Sequence, residues 1–221
     1  MNRPQVIVFD LGKVLLDFDY GLAAPRIAAR GNVSPEAVKR LLNQSPLLFR
    51  YETGLITTDE FFEEVRSTTA FGGDMNEFKD LFGDIFTPIT PMIELHSALR
   101  KKGMPTYVFS NTNELQIGYI RRHFPFIKDF DGYILSFEHG AMKPEAKIYE
   151  VVERETKRRR EEILYIDDRP ENIAAGTARG WQVILQETPE RTRAAFEKSG
   201  LLNQAWPGGV NGPPFSEPSK A

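Results

Sequence analysis

Val6-Ile7-Val8-Phe9-Asp10-Leu11-Gly12-Lys13-Val14-Leu15 is the stretch on which the fold turns. Its first four residues are all apolar and mostly β-branched, which reads as a strand buried on both faces. Such strands belong to parallel sheets covered by helices. The aspartate that ends the run is either a plain strand terminator or a group placed at the carboxyl edge of the sheet, where open parallel sheets bind ligands. Four further apolar runs, at 106–109, Gly132–Leu135, 163–166 and Gln182–Leu185, also read as strands. Helical patterns lie between most of them. Residues 91–102 set Met92, Leu95 and Leu99 on one face, 145–155 carry Ile148 and Val152, and 171–179 stop at Gly180. This alternation predicts an α/β fold, a parallel sheet with helices on both faces.

Residues 10–105 separate the first two strands, far more than one crossover helix needs. The stretch reads as helical. Ser34-Pro35 is an N-cap with proline at the first helical position, opening a helix through Leu42. Thr57-Thr58-Asp59-Glu60 is a capping box for a helix over 60–67, Gly54 stands where the preceding helix stops, and 76–86 offer another apolar stripe. The expected organisation is a sheet domain of residues 1–17 and 89–202, a small helical insertion at 18–88, and a Pro/Gly-rich tail at 203–221 that Trp206 and Phe215 could anchor.

A hydrophobic share of 41% supplies a globular core, and a net charge of −3 gives no electrostatic reason to expect nucleic acid or an anionic membrane as partner. The basic cluster at 157–160 reads as a solvated helix face. With no cysteine, disulfides, thiolate metal sites and cysteine nucleophiles are excluded. The apolar run ended by Asp10 is too short for a signal peptide and no run is long enough to span a membrane, so a cytoplasmic protein is the expectation.

Three more segments fall at predicted strand ends. Phe109-Ser110-Asn111-Thr112-Asn113 offers a hydroxyl and turn residues whose N–H groups can cradle an oxyanion, or forms a common turn. In Ser136-Phe137-Glu138-His139-Gly140-Ala141-Met142-Lys143-Pro144, Lys143 precedes a proline suited to the first turn of the next helix. In Tyr165-Ile166-Asp167-Asp168-Arg169-Pro170-Glu171-Asn172, two adjacent carboxylates call for a cation, and oxygen-rich sites suit magnesium.

Carboxylate, hydroxyl, lysine and paired carboxylates, in that order, resemble the four motifs of the haloacid dehalogenase superfamily. The resemblance runs from Val6 to about Leu185, and the helical insertion looks like that family's cap of the first type. It implies a Rossmann-like sheet of strand order 3-2-1-4-5 and a magnesium-dependent phosphatase of small phosphorylated metabolites, with sugar phosphates among the candidate substrates. Carried over residue by residue, Asp10 is the nucleophile that forms an aspartyl-phosphate, while Asp10, the Gly12 carbonyl and Asp168 hold Mg2+ with Asp167 near or bound through water. Ser110, Asn111, Thr112 and Lys143 meet the phosphoryl group, and Asn172 stands behind the ligands. Arg50 or Tyr51 is expected to face Asp10 from the cap and select the substrate. The plainer alternative packs Phe49 inside the cap, Tyr51 at its edge and Arg50 toward solvent.

The sequence departs from the family at Gly12, where most of its phosphatases carry a second aspartate that protonates the leaving alcohol and later activates water. Losing general acid–base catalysis costs roughly 10²–10⁴-fold in rate if nothing replaces it. Three readings stay open: an ester whose leaving group needs little protonation, a substitute acid among Asp17, Asp19, His139 and Glu52, or a protein that binds phosphorylated ligands or a partner without turnover. The Asp-Leu-Gly-x-Val pattern resembles a bacterial branch that includes glucose-1-phosphate phosphatases. Dehalogenation is the weaker alternative, because the Asp167-Asp168 pair has little purpose without a metal. Lys13 sits where relatives often have glycine or asparagine, and it reads as a solvated side chain on a strained turn or a charge aimed at the pocket.

Overall fold

The computed structural model describes residues 3–43 and 45–202; the stretch 203–221, with Trp206 and Phe215, lies outside the described residues. The chain enters through β1 (Val6–Phe9) and β2 (Leu16–Phe18), then runs through α1 (Tyr20–Ala28), α2 (Pro35–Leu42), α3 (Pro46–Glu52), α4 (Thr58–Thr69) and α5 (Met75–Gly83). It returns by β3 (Phe86–Pro88), α6 (Thr90–Lys101), β4 (Thr106–Ser110), α7 (Glu114–His123), β5 (Gly132–Leu135) and the short α8 (Ser136–His139). α9 (Ala146–Thr156), β6 (Ile163–Asp167), α10 (Pro170–Ala178), β7 (Gln182–Leu185) and α11 (Pro189–Lys198) complete it. Pro144 lies two residues ahead of α9 rather than in its first turn.

The main sheet runs β5-β4-β1-β6-β7, every pair parallel. Counted along the chain this is the expected order 3-2-1-4-5. Side chains alternate across it as the two-residue period requires. Val6, Val8 and Tyr165 pack on one face with Ile148, Tyr149 and Val152 of α9. Ile7, Phe9 and Ile166 pack on the other with Met92, Leu95 and Leu99 of α6 and Ile117 and Ile120 of α7. β7 is only half-buried, as befits a sheet edge.

The helices α1–α5 share a separate, largely aromatic core in which Phe61, Phe62, Phe78 and Phe82 are buried, the last two stacked at 5.5 Å. Side chains cap all five N-termini: Asp19, Ser34, Ser45, Thr57 (with Glu60 completing the box) and Asp74 each accept an N–H that would otherwise lack a partner. Both connections to the sheet pass through one antiparallel pair, β2 with β3, in which Phe18 opposes Phe86. The helical layer also presses directly on the sheet layer at Gly54. Its φ of +72° is left-handed, and a Cβ there would lie 2.2 Å from the Phe137 carbonyl oxygen, so glycine alone allows the close approach. No helix among the described residues is long and apolar enough to cross a membrane.

Candidate active site

β1 is the central strand, flanked by β4 and β6, so the chain's winding reverses direction there and leaves a crevice at the carboxyl ends. Asp10, Ser110 and the Asp167-Asp168 pair stand at those three strand ends. Lys143 reaches into the same place. Its ammonium lies 2.8 Å from Asp10 Oδ1 and 2.6 Å from Asp167 Oδ2 and donates to the Phe109 carbonyl at 2.9 Å. The lysine side chain is 2% exposed, and these oxygens replace the hydration that burial removes.

Further hydrogen bonds position this lysine and its partner Asp167. Asn111 clamps the Lys143 backbone, accepting its N–H at 2.8 Å and donating to its carbonyl at 3.0 Å. Asp167 is held by the Tyr165 hydroxyl, by the Arg169 N–H at 2.9 Å and by Asn172 Nδ2 at 2.9 Å. With those donors and Lys143 engaged, Asp167 serves the site as an anchor. On Asp10, Oδ1 accepts from the Leu11 N–H at 2.7 Å as well as facing Lys143, while Oδ2 has no hydrogen-bond partner among the described residues.

The charges act on one another strongly. Burial pushes the Asp10 carboxyl up to about 7; Lys143 opposes the rise, and Asp167 and Asp168 add to it. Burial also works against the Asp167 carboxylate, but Lys143, the Tyr165 hydroxyl and the Arg169 N–H outweigh it and hold this group below the ordinary carboxylate value. For Lys143, burial favours the neutral amine, yet Asp10 and Asp167 outweigh it and raise the ammonium well above its usual range. Burial and Asp167 raise Asp168.

This surplus of negative charge bears on a metal. Asp10, Asp167 and Asp168 each have an oxygen within 4.8 Å of the others, and among the described residues Lys143 is the ammonium paired with Asp10 and Asp167. Asn172 Oδ1 is the single buried side-chain atom without a partner among the described residues, and Asn172 borders the same cavity as Asp10 and Asp168. An orphan acceptor beside surplus carboxylates fits a hydrated dication, whose waters can donate to it. Asp10 and Asp168 have oxygens to give; Asp167 is already saturated.

Above the strand ends lies a cavity of about 630 Å³, bordered by Asp10, Ser110, Lys143 and Asp168 below and by α3 above. Ser45, Leu48, Phe49 and Glu52 border it, the i, i+3, i+4, i+7 stripe of one helix face. That stripe corrects the expectation for Arg50 and Tyr51, which lie off it. Tyr51 is 2% exposed, stacks on Phe61 at 4.3 Å, shares a 2.7 Å hydrogen bond with Thr58 Oγ1 and accepts from the Leu115 N–H at 3.2 Å. Arg50 pairs with Glu64 at 3.1 Å on the outer surface. Phe49, instead of packing inside the helical layer, is 52% exposed at the cavity wall. Thr112 is also displaced from its expected role: its N–H donates to Ser136 Oγ and it borders only a narrow side chamber.

The remaining sequence candidates separate in the same way. Asp17 pairs with exposed Lys13, Asp19 caps α1, and neither they nor His139 border the cavity. Lys13 has φ +57°, so the strained turn is real. Sequence reasoning missed Tyr165, whose hydroxyl completes the anchor of Asp167, and the Asn111–Lys143 clamp. An aromatic residue two before a functional aspartate on the same strand shares its face, the one signal that pointed to Tyr165.

The model of the haloacid dehalogenase-like hydrolase family matches residues 4–180. The chain therefore belongs to the haloacid dehalogenase-like hydrolases. It is 23% identical over 187 residues to a D-ribitol-5-phosphate phosphatase of Bacteroides thetaiotaomicron, covering 82% of this chain and 91% of that one. It is 25% identical over 178 residues to a sesquiterpene phosphatase of Aspergillus oryzae, covering 80% and 86%. A crystal structure of a haloacid dehalogenase family enzyme from B. thetaiotaomicron, in complex with magnesium and inorganic phosphate, superposes with a TM-score of 0.73 at 21% identity, covering 83% of this chain and 94% of that one.

Proposed function

We propose that this protein is a magnesium-dependent phosphatase of small phosphorylated metabolites, with Asp10 as nucleophile. The observation that carries the reading is the asymmetry of Asp10: Oδ1 is held by the Leu11 N–H and Lys143, while Oδ2, in a carboxylate that borders the cavity, has no partner among the described residues. A carboxylate oriented through one oxygen presents the other to a phosphorus atom, and forming the aspartyl-phosphate divides one difficult displacement into two easier ones. Lys143 and Ser110 stabilise the phosphoryl oxygens, the lysine as a fixed charge that Asp167 and Asn111 hold in place. Asp10, Asp168 and the Gly12 carbonyl would hold Mg2+, which supplies positive charge to the phosphoryl group when bound. The helical layer over the cavity acts as a cap that limits water and meets the organic part of the ester. Aromatic Phe49 and Phe18 with polar Asn43 and Ser45 suit a sugar or polyol phosphate, and the relatives named as phosphatases support the class.

A panel of sugar, polyol and terpenoid phosphates tests this, with release of inorganic phosphate read with and without magnesium. Wild type should release phosphate with magnesium only, and Asp10→Asn should release none. Phosphate release that survives Asp10→Asn rules out the covalent route; binding without release by wild type favours a ligand-binding protein.

A further inference from the structure

Asp10, Asp168 and Glu52 are the carboxylates that border the cavity, and Glu52 alone stands apart from the metal cluster. It comes from the opposite wall, at the end of α3. Glu52 also shares a narrower chamber of about 50 Å³ with Gly12 and Ser110 at the strand ends. Its oxygens have no hydrogen bond or ion pair among the described residues, although the residue is partly buried. Every other charged group of the site has a definite partner or a place among the metal ligands.

The backbone around Glu52 is fixed. Its carbonyl accepts the Ser136 hydroxyl at 2.5 Å, Tyr51 before it is tied to the Leu115 N–H, and Gly54 after it presses on Phe137. All three ties join the end of α3 and the turn after it to the sheet layer. Across the chamber, a Cβ on Gly12 would come within 2.9 Å of the Phe18 ring. The aromatic ring fills the room where a side chain at position 12 would stand.

Resting on the phosphatase reading, we infer that Glu52 is the general acid–base of the reaction. In the first step Asp10 Oδ2 bonds to phosphorus and the P–O bond to the alcohol breaks; the alcohol oxygen keeps the electron pair and takes the Glu52 proton. In the second, the Glu52 carboxylate takes a proton from water, whose oxygen bonds to phosphorus as the bond to Asp10 breaks. Phosphate leaves and Glu52 is protonated again. Burial supports the assignment by raising the Glu52 carboxyl to about 7 against the opposing Arg169, so a share of the molecules carries the proton near neutral pH.

The experiment compares wild type and Glu52→Gln on two esters that differ in their need for a proton: the best alkyl phosphate of the panel and 4-nitrophenyl phosphate. The readout is kcat/KM, which reports the chemistry up to formation of the aspartyl-phosphate. For the alkyl ester it should fall by roughly 10²–10⁴-fold, and for the nitrophenyl ester by only a few-fold, since that leaving group departs as a stable anion. Glu52→Asp should recover part of the alkyl activity, and the melting temperature of Glu52→Gln should stay near wild type because no partner is lost. Equal losses on both esters, or no loss, overturn the inference while leaving the phosphatase reading intact. Wild type that cleaves the nitrophenyl ester but no alkyl ester also overturns it. Wild type that cleaves neither ester overturns both readings.

Discussion

At the ends of β1, β4 and β6, Lys143 and Asp167 are buried and fully engaged: Lys143 meets two carboxylates and a carbonyl, and Asp167 takes four donors. Across the cavity, α3 offers an exposed ring at Phe49 and, at Glu52, a carboxyl without a hydrogen-bond partner among the described residues. The Lys143–Asp167 pair at the centre of the floor is over-determined, so these two groups each have one position. The wall is held by the Tyr51 side chain and the Glu52 carbonyl, and leaves the Phe49 and Glu52 side chains to meet a substrate. A fold can therefore keep one phosphoryl chemistry while a single helix face changes what is recognised.

Replacing Lys143 tests the floor most severely. Lys143→Met leaves Asp10 and Asp167 buried without their cation, a type of loss that costs about 3–5 kcal/mol. It also removes a stabilising charge from the transferring phosphoryl group, a loss of roughly 10²–10³-fold in kcat or more. Urea unfolding should show the destabilisation, and added magnesium should restore part of it by offsetting the carboxylates. Stability equal to wild type would mean that the floor is not the interlocked unit described here.

Beneath the floor, His96 is a buried titratable group whose hydrogen-bond partner is a neutral hydroxyl. It is 1% exposed, stacks on Phe130 at 3.9 Å and shares a 3.0 Å hydrogen bond with Thr106 Oγ1. Burial, aided by Arg100 and opposed by Asp131, lowers its pKa from 6.5 to about 4. Above pH 6.5 the imidazole is neutral folded and unfolded; between 6.5 and about 4 the unfolded chain binds a proton that the folded chain does not. Stability should therefore fall with pH across that window, by about 3 kcal/mol from this residue alone. Unfolding of His96→Gln over the same range should be less steep; an unchanged slope would assign the acid sensitivity elsewhere.

The wall should respond in binding rather than in folding. Phe49→Ala should raise KM for the best substrate by about tenfold, the equivalent of about 1.4 kcal/mol of lost contact, while kcat for 4-nitrophenyl phosphate stays within about twofold of wild type and the melting temperature moves little. Equal effects on every ester would make Phe49 part of the general machinery and erase the contrast between floor and wall.

The same contrast explains what could be read from the sequence. The five sheet strands were legible because each is a short apolar run closed by a polar residue, and the groups at their ends follow from where strands stop. The capping residues fixed the start of α2 and marked α4, which begins at Thr58, two residues before the expected start at 60. By comparison, α3 has seven residues, and its apolar positions Leu47, Leu48, Phe49 and Tyr51 fit more than one helical phase. Fewer than two full turns do not settle which side faces inward. The β2–β3 pair was equally hidden, since three-residue strands containing Asp17 and Pro88 lack a clear alternation.

The smallest effect is expected at Arg50, where the phase of α3 decides the outcome. Successive helix residues are turned by about 100°, so a helix that aims Phe49 and Glu52 at the cavity carries Arg50 away from it. Its guanidinium meets Glu64, with both side chains nearly half exposed, 46% and 45%, and exposed pairs of this kind contribute about 0–1 kcal/mol. Arg50→Ala should leave KM for the best substrate within about twofold and change unfolding free energy by less than about 0.5 kcal/mol. The contribution that remains should fade in high salt, as screening weakens exposed pairs. A large, substrate-selective rise in KM would mean that α3 rotates when an ester binds and brings Arg50 to the cavity. That rotation would break the ties of Tyr51 and Glu52 to the sheet layer, so the same substrate should then lower the thermal stability of the complex instead of raising it.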